Sequence, residues 1–150
     1  MDNRERWVRR LATWFGCGSS PVAPGTMGSL GSIPVHLLLR RMGPLVHIGS
    51  IAAITLAGIW TSDEMAELLG EKDPQSVVID EVAGALIAMG MVKKRGLGAE
   101  LLALALFRAF DIVKPGPIKR AEQMEPPGLG IMADDLLAGV LAGITARWLS

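Results

Sequence analysis

The sequence predicts an all-α protein, a compact, membrane-associated bundle of about six or seven hydrophobic helices. Composition is the first observation behind this. Half of the 150 residues are apolar, Leu, Ala, Met and Gly dominate, and Tyr is absent, a balance that favours helices over strands. Periodicity is the second, because apolar positions recur at helical spacing. The third is that charged residues gather at the ends of apolar segments. With no internal repeat, low-complexity tract or linker, residues 1–150 read as a single domain.

Residues 1–15 form the first expected element. In "RERWVRRLATWFG", Trp7, Leu11 and Trp14 recur at i, i+4 and i+7 with arginines on the other faces, the pattern of an amphipathic helix. Indoles opposite arginines suit an anionic membrane interface; packing on the protein's own core is the equally weighted alternative. Residues 16–32, "GCGSSPVAPGTMGSLGS", read as a Gly/Ser/Pro-rich loop, whose tail starts a helix through "SIPVHLLLRRM". From Met42 to Ser62 no residue carries a formal charge, close to the length of about 20 that a spanning helix needs. Gly43, Pro44, His47, Gly49 and Ser50 weaken its front half, and the later apolar segments look shorter still. These are core helices of a globular bundle or helices lying in a bilayer with polar groups at its surface; the sequence leaves both open.

Fifteen basic residues balance fifteen acidic ones, so no general bias toward nucleic acid exists. Arg4, Arg6, Arg9, Arg10, Arg40 and Arg41 nevertheless make the amino-terminal end basic against Asp2 and Glu5 alone. The lone Cys17 excludes an intramolecular disulfide framework and fits a reducing compartment. Arginines interrupt the first ten positions, so no cleavable signal peptide is expected and the protein should face the cytoplasm.

Three acidic clusters carry the chemistry. Asp80 and Glu81 interrupt the apolar run "VVIDEVAGALIAMG", so at least one carboxylate is expected to point into protein. A carboxylate buried in this way must be paired, hydrogen-bonded or bound to metal. Arg108, Asp111 and Lys114 are spaced along one side of a helix that Pro115 ends, and Asp134 and Asp135 stand in another apolar helix. Convergent carboxylates without histidine or cysteine make a hard-oxygen site that suits Mg²⁺ better than Zn²⁺. Nearby Arg and Lys then suit a phosphate group. Internal pairing of Arg108 and Lys114 with the acids is the competing reading. Asp63, Glu64, Glu67, Glu71 and Asp73 are assigned to a solvated face.

Other motifs fail their context. "GLGIMA" follows no strand, and the Gly-rich loop lacks the G-K-[ST] ending of a P-loop. Ala23 stands where a cysteine phosphatase would place its arginine, so Cys17 reads as a small, partly buried residue. His36 and His47, in apolar surroundings, read as core or interface histidines.

Three stretches, "SPVAPGTMGSLGSIP", "VVIDEVAGALIAM" and "FRAFDIVKPGPIKRAEQMEPPGLGIMADDLLAG", together resemble the signature regions of the bacterial phosphatidylglycerophosphatase A family, over residues from about 16 to 145. The resemblance implies an all-helical, Mg²⁺-dependent phosphatase of phospholipid biosynthesis. Its substrate would be phosphatidylglycerophosphate, and it would sit in the cytoplasmic (inner) membrane with its active site facing the cytoplasm. It implies Asp80, Glu81, Asp111, Asp134 and Asp135 as the catalytic, metal-binding acids, one of them orienting the attacking water. Arg108, Lys114 and Lys119 would hold the phosphates. Ser20, Pro24, Gly25, Thr26, Gly28 and Ser29 would offer backbone N–H groups and hydroxyls. Gly116 between two prolines and the "MEPPG" approach depart from the family pattern without touching the acids. A soluble phosphomonoester substrate and a non-catalytic helical membrane protein stay as alternatives. The oligomeric state, a homo-oligomer included, is left open.

Overall fold

Asp2 opens the first helix by accepting the Glu5 N–H at 2.7 Å, and prolines in the first turn start four of the six that follow, since proline's fixed φ and missing N–H cost nothing there. The computed structural model describes residues 1–93 and 96–150. These form α1 (Asn3–Ala12), a 3₁₀ turn (Cys17–Ser19), α2 (Pro24–Met42), α3 (Pro44–Leu69), α4 (Ile79–Gly90), α5 (Leu97–Val113), α6 (Gly116–Glu122) and α7 (Pro127–Leu149). The expected all-α bundle is what forms, with seven α-helices and no strand among the described residues.

The short helix α4 is the hub. Val82, Ala83, Ala85, Leu86 and Ala88 are all fully buried, and α7, α2, α5 and α3 pack around it. Small residues set how closely these axes approach. A Cβ on Gly139 of α7 would lie 2.4 Å from the Gly84 carbonyl oxygen of α4, and one on Gly84 would meet the Phe107 ring at the same distance. Phe107 fills the space beside this crossing and is wholly buried, a contribution of roughly 1.5–3 kcal/mol.

Three expectations need correction. Residues 16–32 are not a loop throughout, because α2 already begins at Pro24. Composition alone reads as loop, but Pro24 supplies the helical φ, and the small side chains let this turn press on the chain before α4. A Cβ at Gly28 would stand 2.7 Å from Val78 Cβ, so packing overrides the low helix propensity of Gly and Ser.

The uncharged run from residue 42 is cut at Gly43, whose φ of 97° ends α2 and precedes α3. Helix α3 instead continues through Asp63, Glu64 and Glu67. It is not the sole candidate for a membrane either: α3 and α7 are both long and apolar enough to cross one. The sequence placed Asp134 and Asp135 in an apolar helix but understated its length, because the two charges divide the apolar stretch of one continuous 23-residue helix.

Finally, Asp63 is not merely solvated. Its Oδ1 accepts the Gly128 N–H at 2.6 Å, giving an acceptor to a donor at the α7 N-terminus that has no partner within the helix.

Helix α1 stops at Ala12, short of the expected residue 15, and packs on the protein's own core. Val8 and Ala12 are buried and the Trp14 indole N–H donates to the Gly31 carbonyl at 3.3 Å, whereas Trp7 is half exposed beneath the Arg10 guanidinium. Apolar side chains also cover much of the outer surface, including Leu45, Ile48 and Leu56 of α3 and Trp148 of α7.

Gly139→Ala should therefore destabilise the fold by about 1–3 kcal/mol through overpacking. Gly49→Ala, in open space on α3, should be neutral or stabilise by about 0.5–1 kcal/mol. Thermal or denaturant melts of the two variants check this, and equal effects would contradict the close α4–α7 crossing.

Candidate active site

Three helices deliver the acids to one place. Asp80 and Glu81 sit in the first turn of α4, where the helix dipole favours negative charge. Arg108 and Asp111 lie in the last two turns of α5, and Lys114 caps that helix in the left-handed conformation, φ 49°. Asp134 and Asp135 come from the third turn of α7, beside the backbone of α4 at Gly84.

Ligand oxygens of Asp80, Glu81 and Asp135 lie within 4.8 Å of one another, and so do those of Asp111, Asp134 and Asp135. Asp135 belongs to both groups. The two clusters therefore form one continuous carboxylate site.

Two cations border it. The Arg108 guanidinium donates a charge-assisted hydrogen bond to Asp111 Oδ2 and stands 3.9 Å from Glu81 Oε1. Lys114 Nζ donates to Asp134 Oδ2 at 2.6 Å and to Glu122 Oε1 at 3.1 Å. Asp134 Oδ1 in turn accepts the Asp135 N–H at 3.0 Å. Internal ion pairing thus accounts for Asp111 and Asp134. It does not account for Asp80 or Asp135, neither of which forms an ion pair among the described residues.

Asp80 Oδ1, Asp135 Oδ2 and Glu81 Oε2 are buried without a hydrogen-bond partner among the described residues. Leaving such groups unsatisfied costs on the order of 1–3 kcal/mol each, more when charged. Burial pushes the Asp80 carboxyl well above the usual carboxylate range, and the negative charges of Glu81 and Asp135 push it further. Glu81 is raised as well, again by burial first, with Arg108 pulling in the opposite direction. An all-oxygen donor set with orphaned oxygens has the chemistry a hard divalent cation requires. Its edges carry the positive charge a phosphate requires.

The first turn of α2 closes the site on another side. A Cβ on Gly25 would stand 2.7 Å from Glu81 Oε1 and 3.1 Å from Arg108 Nη2, so glycine permits this approach. The first helical bond of α2 is Met27 N–H to Ala23 O, which leaves the Gly25 and Thr26 N–H groups without a helical acceptor.

The other candidates are placed differently. Ser29 is buried and its hydroxyl donates to the Gly25 carbonyl at 3.0 Å, while the Ser20 hydroxyl donates to the Val22 carbonyl at 2.9 Å. Gly28 packs on Val78. Lys119 is exposed on α6 and forms no ion pair among the described residues. Glu122, which shares Lys114 with Asp134, was absent from the sequence reading; it lies across the Pro115 turn, where no periodic signal connects the two.

Comparison with known proteins adds independent findings. The profile of the phosphatidylglycerophosphatase A family matches residues 10–150. A Bacteroides thetaiotaomicron protein provisionally named a phosphatidylinositol-3-phosphatase is 38% identical over 148 residues, covering 92% of each chain. Proteins named phosphatidylglycerophosphatase A from Haemophilus influenzae and Escherichia coli K12 are 37% and 34% identical. The matches cover 91% and 89% of this chain and 85% and 78% of theirs. No solved structure matches.

Burial of Asp80 has a measurable consequence. Its raised carboxyl value means that the folded chain binds more protons than the unfolded one above about pH 3.9. Stability contributed by the protonated form is therefore lost as pH rises from there toward the folded value. The melting temperature of chelator-treated protein should fall as pH is raised from about 4 toward neutrality, and less steeply in Asp80→Asn. Identical slopes in the two proteins would contradict the buried, unpaired Asp80.

Proposed function

The chain belongs to the phosphatidylglycerophosphatase A family and is a phosphatase, and from that premise we propose that it hydrolyses the terminal phosphomonoester of phosphatidylglycerophosphate in a Mg²⁺-dependent reaction. One observation carries the site assignment: Asp80 and Asp135 present buried carboxylate oxygens with no partner among the described residues, next to Glu81 and Asp134, which Arg108 and Lys114 meet. Asp80, Glu81 and Asp135 would hold one Mg²⁺, with Asp111 and Asp134 completing the site as ligands or as partners of the cations. Mg²⁺ supplies charge neutralisation for phosphoryl oxygens when bound.

The chain's own groups do the rest. Arg108 and Lys114 hold the phosphoryl oxygens and balance the charge that grows on them as the bond to the lipid alcohol breaks. The Gly25 and Thr26 N–H groups at the start of α2 offer further donors. One of the acids takes a proton from the attacking water as its oxygen joins phosphorus. The same acid returns that proton to the departing alcohol oxygen, giving phosphatidylglycerol and inorganic phosphate.

Membrane association follows from the two long apolar helices together with a lipid substrate. We place the enzyme at the bacterial cytoplasmic membrane with the acid cluster facing the cytoplasm, and anionic lipid under the arginines of α1. Family membership leaves the non-catalytic reading without support. The phosphatidylinositol-3-phosphatase name of the Bacteroides relative favours a second substrate reading, in which the same acids act on a phosphoinositide.

Phosphate release from phosphatidylglycerophosphate in mixed micelles should require Mg²⁺, stop with EDTA, and drop by on the order of 100-fold or more in Asp80→Asn and in Arg108→Ala. Faster release from phosphatidylinositol 3-phosphate, or from a soluble phosphomonoester, would replace the lipid assignment. Metal-independent release would remove the cofactor.

Mg²⁺ at 100 times its dissociation constant should also stabilise the wild type by about 2.7 kcal/mol. Asp80→Asn should lose that gain in a thermal melt.

A further inference from the structure

A second built site lies at the other end of the bundle. Asp80 and Gly90 mark the two ends of α4, about 15 Å apart at the helical rise, and beyond Gly90 a cavity of about 400 Å³ opens between α2, α3, α4 and α5. None of the acids described above lines it. Its body is apolar, with Ile51, Ile87 and Val92 among its walls. Its volume falls at the lower end of the range for small-molecule sites, enough for one alkyl chain rather than two.

One wall is polar. Glu100 is buried, and Arg40 Nη1 donates to both of its oxygens, at 2.9 and 2.8 Å. His36, 3% exposed, places Nε2 3.1 Å from Glu100 Oε1 but off the line of a good hydrogen bond. Neither ring nitrogen of His36 has a hydrogen-bond partner among the described residues. Burial pulls the His36 imidazole below its ordinary value and so favours the neutral ring.

These facts define the ligand. With Glu100 paired to Arg40, burial favouring the neutral form of His36, and His47 Nε2 held 3.1 Å from the Leu86 carbonyl, the polar wall offers no unpaired charge among the described residues, and a charged headgroup would lose its hydration without a counter-ion. A neutral imidazole presents one donor and one acceptor, as a hydroxyl group does. We propose that this cavity binds a single alkyl chain whose neutral, hydroxyl-bearing head meets His36, the chemistry of a fatty alcohol or a monoacyl glyceryl lipid. This site is separate from the carboxylate cluster and does not depend on the proposed reaction.

A twelve-carbon alcohol carrying a mid-chain diazirine tests the assignment on the full-length protein in lipid nanodiscs. Labelling should be saturable and concentrated in residues 36–51 and 87–92. Excess n-dodecanol should compete and excess n-dodecane should not. Stronger competition by a monoacylglycerol than by dodecanol would identify the glyceryl lipid as the source, and the reverse order a free alcohol. Ile51→Trp, or Val92→Phe if that variant fails to fold, should abolish labelling by filling the cavity. His36→Phe should weaken competition by dodecanol about tenfold. Labelling spread over exposed residues such as Leu45 and Leu102, or equal competition by dodecane and dodecanol in the wild type, would overturn the proposal. Phosphate release, followed in parallel, reports on the other site alone.

Discussion

Everything near the centre of this molecule depends on the cost of taking carboxylates out of water. Five acids are drawn into a helical bundle whose other interior groups are mostly apolar, and two of them, Asp80 and Asp135, receive no cationic partner among the described residues. The helices must therefore be held together by other means. The apolar faces of α4, α5 and α7 supply that, with Phe107, Leu86 and Met132 wholly buried, at roughly 1.5–3 kcal/mol for each large side chain. The architecture concentrates hydrophobic burial immediately behind the acids.

This division also explains why α4 is short and small-residued. A helix flanked on four sides needs narrow contacts, and alanine and glycine permit axes to approach where larger side chains would hold them apart. Asp80 and Glu81 then occupy the first turn, where the dipole offsets part of their desolvation. The cations arrive from α5, whose left-handed Lys114 turns the chain before Pro115 and allows Nζ to reach both Asp134 and Glu122. Helix polarity, close packing and one unusual backbone conformation thus act on the same few side chains.

Much of this was legible in the sequence. Acids interrupting apolar runs signal a buried polar site wherever they occur, and the three clusters share that pattern, so Asp80, Glu81, Asp111, Asp134 and Asp135 could be named before any coordinates. Arg108 and Lys114 were legible through their spacing from Asp111. The start of α2 was not, because the Gly and Ser residues that mark a loop in water mark a close contact in a packed interior. Nor were the long-range partners: Asp63 meets Gly128 and Glu100 meets His36 across intervals that no local periodicity encodes. The full length of helix α7 was missed for a related reason, since two charges in an apolar stretch make it look shorter until they prove to face inward.

The contact between Asp63 and Gly128 carries an evolutionary implication. A side chain at position 128 would collide with the Ile59 carbonyl oxygen at 2.2 Å and crowd the Asp63 carboxylate, while a shorter or apolar residue at 63 would orphan the Gly128 N–H at the head of α7. Neither position can drift alone without loss. Variation in descendants of this chain should be channelled away from both, leaving a conserved pair outside the acid cluster whose restraint is purely architectural.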